Sequence, residues 1–188
     1  MMLVALLSLA IGFLLGVVFT VYRSGSSAPV AVTQTPGQPP QTSQGMPDRS
    51  AEIAALEDET VKNPGSASAW TSLGNIYFDT AQHAKAIRAY EKALEIFPNN
   101  PDVWTDLGVM YRRNQQPEKA VAAFDKAIEL SPKHEISRFN KGIVLLHDLE
   151  DMQGAIASWE LLLSVNPNAK APNGQPVSEM IKQFKAAQ

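Results

Sequence analysis

The chain has 188 residues, no cysteine, and a formal charge of −3 from 16 Lys+Arg against 19 Asp+Glu. That length holds one compact domain with an appendage, and balanced charge without a basic face argues against a general nucleic-acid binder. The lack of Cys excludes disulfides, thiolate metal sites, thiol catalysis and CxxCH haem attachment.

Residues 1–23 read as a transmembrane anchor. Met2 to Tyr22 carries no ionisable side chain except the Tyr22 phenol. As a helix it would be about 31 Å long, enough for a hydrocarbon core of about 30 Å. No Lys or Arg precedes the run, as one would in most secretory signals. Cleavage after Ser26-Ser27-Ala28 is the weaker alternative, because Arg23 intervenes. Gly12 and Gly16 form a small-xxx-small pair that would allow two anchors to pack as a weak homodimer. The lone flanking Arg23 is a poor orientation signal. The layout is that of a single-pass protein of the bacterial inner membrane with its folded head in the periplasm.

Residues 24–47 are mostly Ser, Gly, Pro, Gln and Thr, with no charge. Such a stretch buries too little apolar surface to offset the entropy of ordering, so it reads as a disordered tether. Residues 48–66 hold a helix with Ile53, Leu56 and Val61 apolar, closed by Asn63-Pro64. It reads as the second half of a degenerate leading repeat.

From there proline punctuates the chain regularly: Pro64, Pro98, Pro132 and Pro167 stand 34, 34 and 35 residues apart. This period belongs to stacked helix–turn–helix units, each burying its apolar face against its neighbours. Residues 67–100 carry Trp70, Leu73, Gly74, Tyr77, Ala86, Tyr90, Ala93 and Pro98. Residues 101–134 repeat the spacing with Trp104, Leu107, Gly108, Tyr111, Ala120, Phe124, Ala127 and Pro132, so that Tyr90/Phe124 is the one change of type. Residues 135–169 keep Gly142, Trp159 and Pro167, and Ala155 after a one-residue insertion. They place Arg138 where Trp stands, Lys141 where Leu stands and Leu162 where Ala stands. Residues 170–188 form a loop and then a capping helix in which Val177, Met180, Ile181 and Phe184 share one face.

Within each unit, the Trp and Leu lie three apart on one helix face, and truncating Trp104 is expected to cost what a buried aromatic costs. The Gly of the first helix and the Ala of the second would let two backbones approach closely. Proline stops the second helix from running into the next unit.

With all eight signature positions filled twice, the units resemble tetratricopeptide repeats. The resemblance implies an all-α, right-handed solenoid of three repeats with flanking capping helices. It also implies a concave face lined by the first helix of each repeat, which would bind a peptide or amphipathic helix. Carried onto this chain, the groove comprises Asn75, Phe78, Asp106, Val109, Arg112, Arg113, Ile136, Phe139, Asn140 and Ile143. Its character runs from polar at the first repeat to apolar at the third. Two covers compete for the apolar end: the closing helix, or a partner's apolar segment. The Lys/Arg/Asn cluster with which related domains clamp acidic EEVD tails is absent. Asn75 matches one of its positions, but Thr71, Asp106, Ile136 and Asn140 occupy the others.

No enzyme chemistry is expected. His83, His134 and His147 lie in different repeats without ligand spacing, so neither a metal nor a cofactor is indicated, and each His reads as a turn or surface residue. No phosphate-binding glycine motif is present. The expected function is a membrane-tethered scaffold or adaptor that binds a protein or peptide client, anchored in the bilayer through residues 2–22. One alternative is a chaperone-like subunit that holds apocytochromes, as the similar repeat subunits of c-type cytochrome maturation do. The other is a self-associating structural protein of the envelope.

Overall fold

Every unit begins with a cap at the same place in the period. In the computed structural model, which describes residues 49–186, Ser66, Asn100 and His134 each accept a bond from the backbone N–H three residues on, at 3.2, 3.2 and 3.3 Å. These caps satisfy N–H groups that a helix start leaves orphaned. The anchor and the tether lie outside the described residues.

Eight helices follow in order: α1 Ser50–Lys62, α2 Ala67–Asp79, α3 His83–Ile96, α4 Pro101–Arg113, α5 Pro117–Leu130, α6 Glu135–His147, α7 Met152–Val165 and α8 Val177–Ala186. Among the described residues the fold is all-α, and no helix is long and apolar enough to cross a membrane. The helices pair as α2/α3, α4/α5 and α6/α7, and each pair stacks on the next. The turn inside each pair passes through a left-handed residue: Ala81 (φ 56°), Gln115 (φ 58°) and Glu150 (φ 55°). The interval from Gln115 to Glu150 is one residue longer than that from Ala81 to Gln115, which locates the insertion of the third unit.

Inside each pair, glycine on the first helix faces an aromatic ring on the second. A Cβ at Gly74 would stand 2.5 Å from Tyr90, one at Gly108 2.6 Å from Phe124, and one at Gly142 2.2 Å from Trp159. The close approach that glycine permits is therefore ring against backbone rather than the second helix's alanine against backbone. Tyr90, Phe124 and Trp159 are the largest fully buried side chains, and Ala86, Ala120 and Ala155 fill the seam beside them.

The tryptophans of the first two units differ from the sequence-based expectation. Trp70 and Trp104 are half-buried and pack at the margin of the core. Their indole N–H groups instead donate to the carbonyls of Pro64 (3.0 Å) and Pro98 (2.7 Å), tying each unit to the proline before it. Arg138 does the same in the third unit, where its guanidinium donates to Pro132 at 2.7 Å. A buried Nε–H of Arg138 has no partner, so the substitution keeps the bond but fits less completely.

Helix α1 occupies the place of a second helix. Tyr77 of α2 donates to Glu57 of α1, just as Tyr111 of α4 donates to Glu91 of α3 at 2.5 Å, and each pair spans 20 residues. In the third unit Leu145 replaces the tyrosine, and Asp125 meets Lys141 at 2.5 Å instead. At the other end, residues 166–176 fold into a short hairpin. Its Gly174 turns at φ 85°, and Val177 N–H bonds to Ala169 at 3.0 Å. The hairpin delivers α8 onto α7, where Val177 and Ile181 are buried and Phe184 lies 5.7 Å from the Trp159 ring.

Candidate functional site

The first helices of the repeats share one face, where α4 meets α6 directly. Thr105 and Ser137 bond hydroxyl to hydroxyl there at 2.6 Å, and His134 meets Asp102 at 3.0 Å. Ser137, His134 and Asp102 thus form a relay, with Ser137 Oγ 2.8 Å from His134 Nδ1. The order of groups is that of a hydrolase, but Ser137 is 0% exposed and no substrate atom could reach its oxygen. The relay is structural: it holds the cap of α6 and locks the second repeat to the third. His134 is therefore more than the surface residue its isolation in sequence suggests.

Further along the same face, Asn75, Phe78, Asp79, Tyr90 and Asp106 line a hollow of about 310 Å³. Tyr90 reaches it from α3 and donates its hydroxyl to Asn75 Oδ1 at 2.8 Å. Burial, with the charges of Asp106 and Asp79 behind it, holds that phenol far above its usual pKa, so it remains a donor. Burial also pushes the Asp106 carboxyl up to about 6; Asp102 adds to the shift and His134 opposes it. Asp106 has no hydrogen bond or ion pair among the described residues. Its neighbours differ: Asp79 meets Arg49 at 2.7 Å, Asp102 meets His134, and Asp148 meets Arg112 at 2.6 Å.

The structure separates the ten groove residues read from sequence into four groups. Asn75, Phe78 and Asp106 line the hollow, and Arg113 lies with its guanidinium 4.6 Å from the Phe78 ring. Arg112 is turned to Asp148, and Asn140 is half-buried. Val109 packs at the edge of the core, while Phe139 and Ile143 belong to the cluster that contains Trp159, Val177, Met180 and Phe184. Phe139 lies 6.3 Å from the Trp159 ring, so it takes part in the packing of the third repeat. Ile136 alone of the apolar set stands clear, 62% exposed. Tyr90 was absent from that sequence-based set. The signal for it was the single change of type between the two full repeats, Tyr90 against Phe124, which adds one hydroxyl at the groove.

Among the described residues, no group of three or more His, Asp or Glu side chains could hold a metal ion.

Comparison with known proteins gives one consistent result. Two family models, both described as tetratricopeptide repeat, match residues 65–133 and 105–170. Among solved structures, a crystal structure of MamA protein superposes with a TM-score of 0.65 at 19% identity, covering 74% of each chain. The first repeat domain of Spaghetti (RPAP3), bound to the HSP90 peptide SRMEEVD, gives 0.57 at 21% identity, covering 64% of this chain and 91% of that one. The Arabidopsis OM64 TPR domain gives 0.57 at 16% identity, covering 65% and 96%. At these identities the likeness is one of fold. No curated protein matches the sequence.

Proposed function

Because this chain belongs to the tetratricopeptide repeat proteins, whose models together span residues 65–170, we propose that it is a membrane-tethered interaction module. Its groove would bind a peptide or an amphipathic helix of a client protein. The observation that carries this reading is where the closing helix stops. Helix α8 rests on α7, and the face of α2 and α4 keeps its hollow, with Ile136 uncovered at the third repeat. An extended or helical segment lying along that face would meet polar and charged groups first and an apolar edge last.

The apolar run of residues 2–22 would be the anchor, and the head would work at the periplasmic side of a bacterial inner membrane. Holding an apocytochrome chain is a narrower form of the same reading, and self-association is its competitor. One experiment separates them: photo-crosslinking in living cells from an unnatural residue at position 136, with the captured peptide identified by mass spectrometry. Capture of a defined segment of one envelope protein is the expected result, and an apocytochrome segment would select the narrower form. Capture of this chain alone would overturn the interaction reading in favour of self-association.

A further inference from the structure

The acids of the groove face are matched to bases with one exception. Asp79 has Arg49, Asp102 has His134 and Asp148 has Arg112, whereas Asp106 has none. Asp106 shares the lining of the hollow with Phe78, Tyr90 and Asp79, and of its two acids only Asp79 is paired. A carboxylate withdrawn from water without a partner costs stability, and a fold tolerates it where a ligand supplies the missing charge. We infer that the hollow between Asn75, Phe78, Tyr90 and Asp106 receives a lysine or arginine side chain of the bound partner. This rests on the reading of the groove as a peptide site and names the chemistry of what enters it.

The lining suits both parts of such a side chain. Phe78, which is half-buried, offers ring surface to the alkyl stem, and Asp106 accepts from the ammonium or guanidinium head. The Tyr90 hydroxyl is committed to Asn75, which fixes the amide and aims its N–H group away from that bond. Arg113 already shows that a guanidinium settles on Phe78, 4.6 Å from its centroid. An acidic residue entering here would face Asp106 with Asp79 and Asp102 behind it. The polarity is therefore opposite to that of the Spaghetti (RPAP3) domain, whose bound peptide ends in Glu-Glu-Val-Asp.

The test is selection of a random dodecapeptide library displayed on phage against the full-length chain. Selection is repeated on Asp106→Asn and on Asn75→Arg; Asn75 is exposed, so the second substitution blocks the hollow without entering the core. The expected result is a set of peptides sharing one Lys or Arg, lost on Asn75→Arg. Replacing that residue by norleucine should weaken binding about tenfold, the loss of one charge-assisted bond, and Asp106→Asn should bind both peptides alike. Groove-bound peptides without a shared base overturn the inference and leave the interaction reading standing. So does a preference for Lys over norleucine that survives in Asp106→Asn. A library that yields no binder sensitive to Asn75→Arg overturns both.

Discussion

Asp106→Asn should stabilise this protein at neutral pH and do nothing for it in acid. The carboxyl titrates near 3.8 in an unfolded chain and is pushed up to about 6 in the fold, first by burial and then by Asp102. Between those values the folded chain holds a proton that the unfolded chain has released. Stability contributed by this residue therefore falls as pH rises through the window and is lowest above pH 6. A shift of about two units corresponds to roughly 3 kcal/mol at about 1.36 kcal/mol per unit. Solvent screening of this half-buried group reduces that to about 1–2 kcal/mol. The substitution keeps the shape and removes the charge. Urea unfolding at pH 7.5 should show a gain of about 1–2 kcal/mol, shrinking to near zero at pH 4 with an unchanged slope. A loss at pH 7.5, or an equal gain at both pH values, would mean that the carboxylate has a favourable partner in the fold and would refute the argument.

Other substitutions probe the frame. Gly108→Ala places a methyl 2.6 Å from the Phe124 ring, which is fully buried and cannot retreat. Despite alanine's better helix propensity, it should lose about 1–3 kcal/mol in urea melts. Ala81→Gly relieves a left-handed residue at φ 56° and should gain about 0.5–1 kcal/mol. His134→Ala removes the cap of α6 and the Asp102 bond, and should cost about 1–2 kcal/mol by the same assay. Ile136→Glu should leave stability within about 0.5 kcal/mol, since the side chain is 62% exposed, while lowering partner capture. Phe139→Glu should unfold the third repeat as well as affect binding, because Phe139 packs with Trp159.

The repeat architecture was legible because its determinants are periodic. Pro64, Pro98 and Pro132 fixed the units, and Gly74 and Gly108 marked where two helices meet closely, although the partner is the ring of Tyr90 or Phe124 and not the alanine the spacing suggested. The leading helix was visible ahead of Asn63-Pro64, although the Glu57–Tyr77 bond that ties it to the first repeat joins residues 20 apart with no local signature. What escaped was depth. A signature tryptophan reads as core, yet Trp70 and Trp104 lie half open, because how far a neighbouring unit screens them depends on side chains a full period away. For the proposed groove, the sequence offers positions and not side-chain states. Spacing put Arg112, Arg113 and Phe139 on one face. It could not say that Arg112 would turn to Asp148, Arg113 to Phe78 and Phe139 to Trp159. Arg138 stands in for the consensus tryptophan by making the same hydrogen bond, to the carbonyl of Pro132, which no spacing reveals.

The unequal depth of the three tryptophans divides the light this chain emits. Trp159 is 0% exposed, enclosed between Phe139 and the last helix, whereas Trp70 and Trp104 border solvent in the first two repeats. A dissolved quencher such as iodide should silence the outer pair and leave a blue-shifted remainder from Trp159. That remainder reports on whether α8 is docked, while the quenched fraction reports on the first and second repeats. The unlabelled protein thus carries separate optical readouts for its two ends, and undocking of the closing helix can be followed apart from events at the hollow.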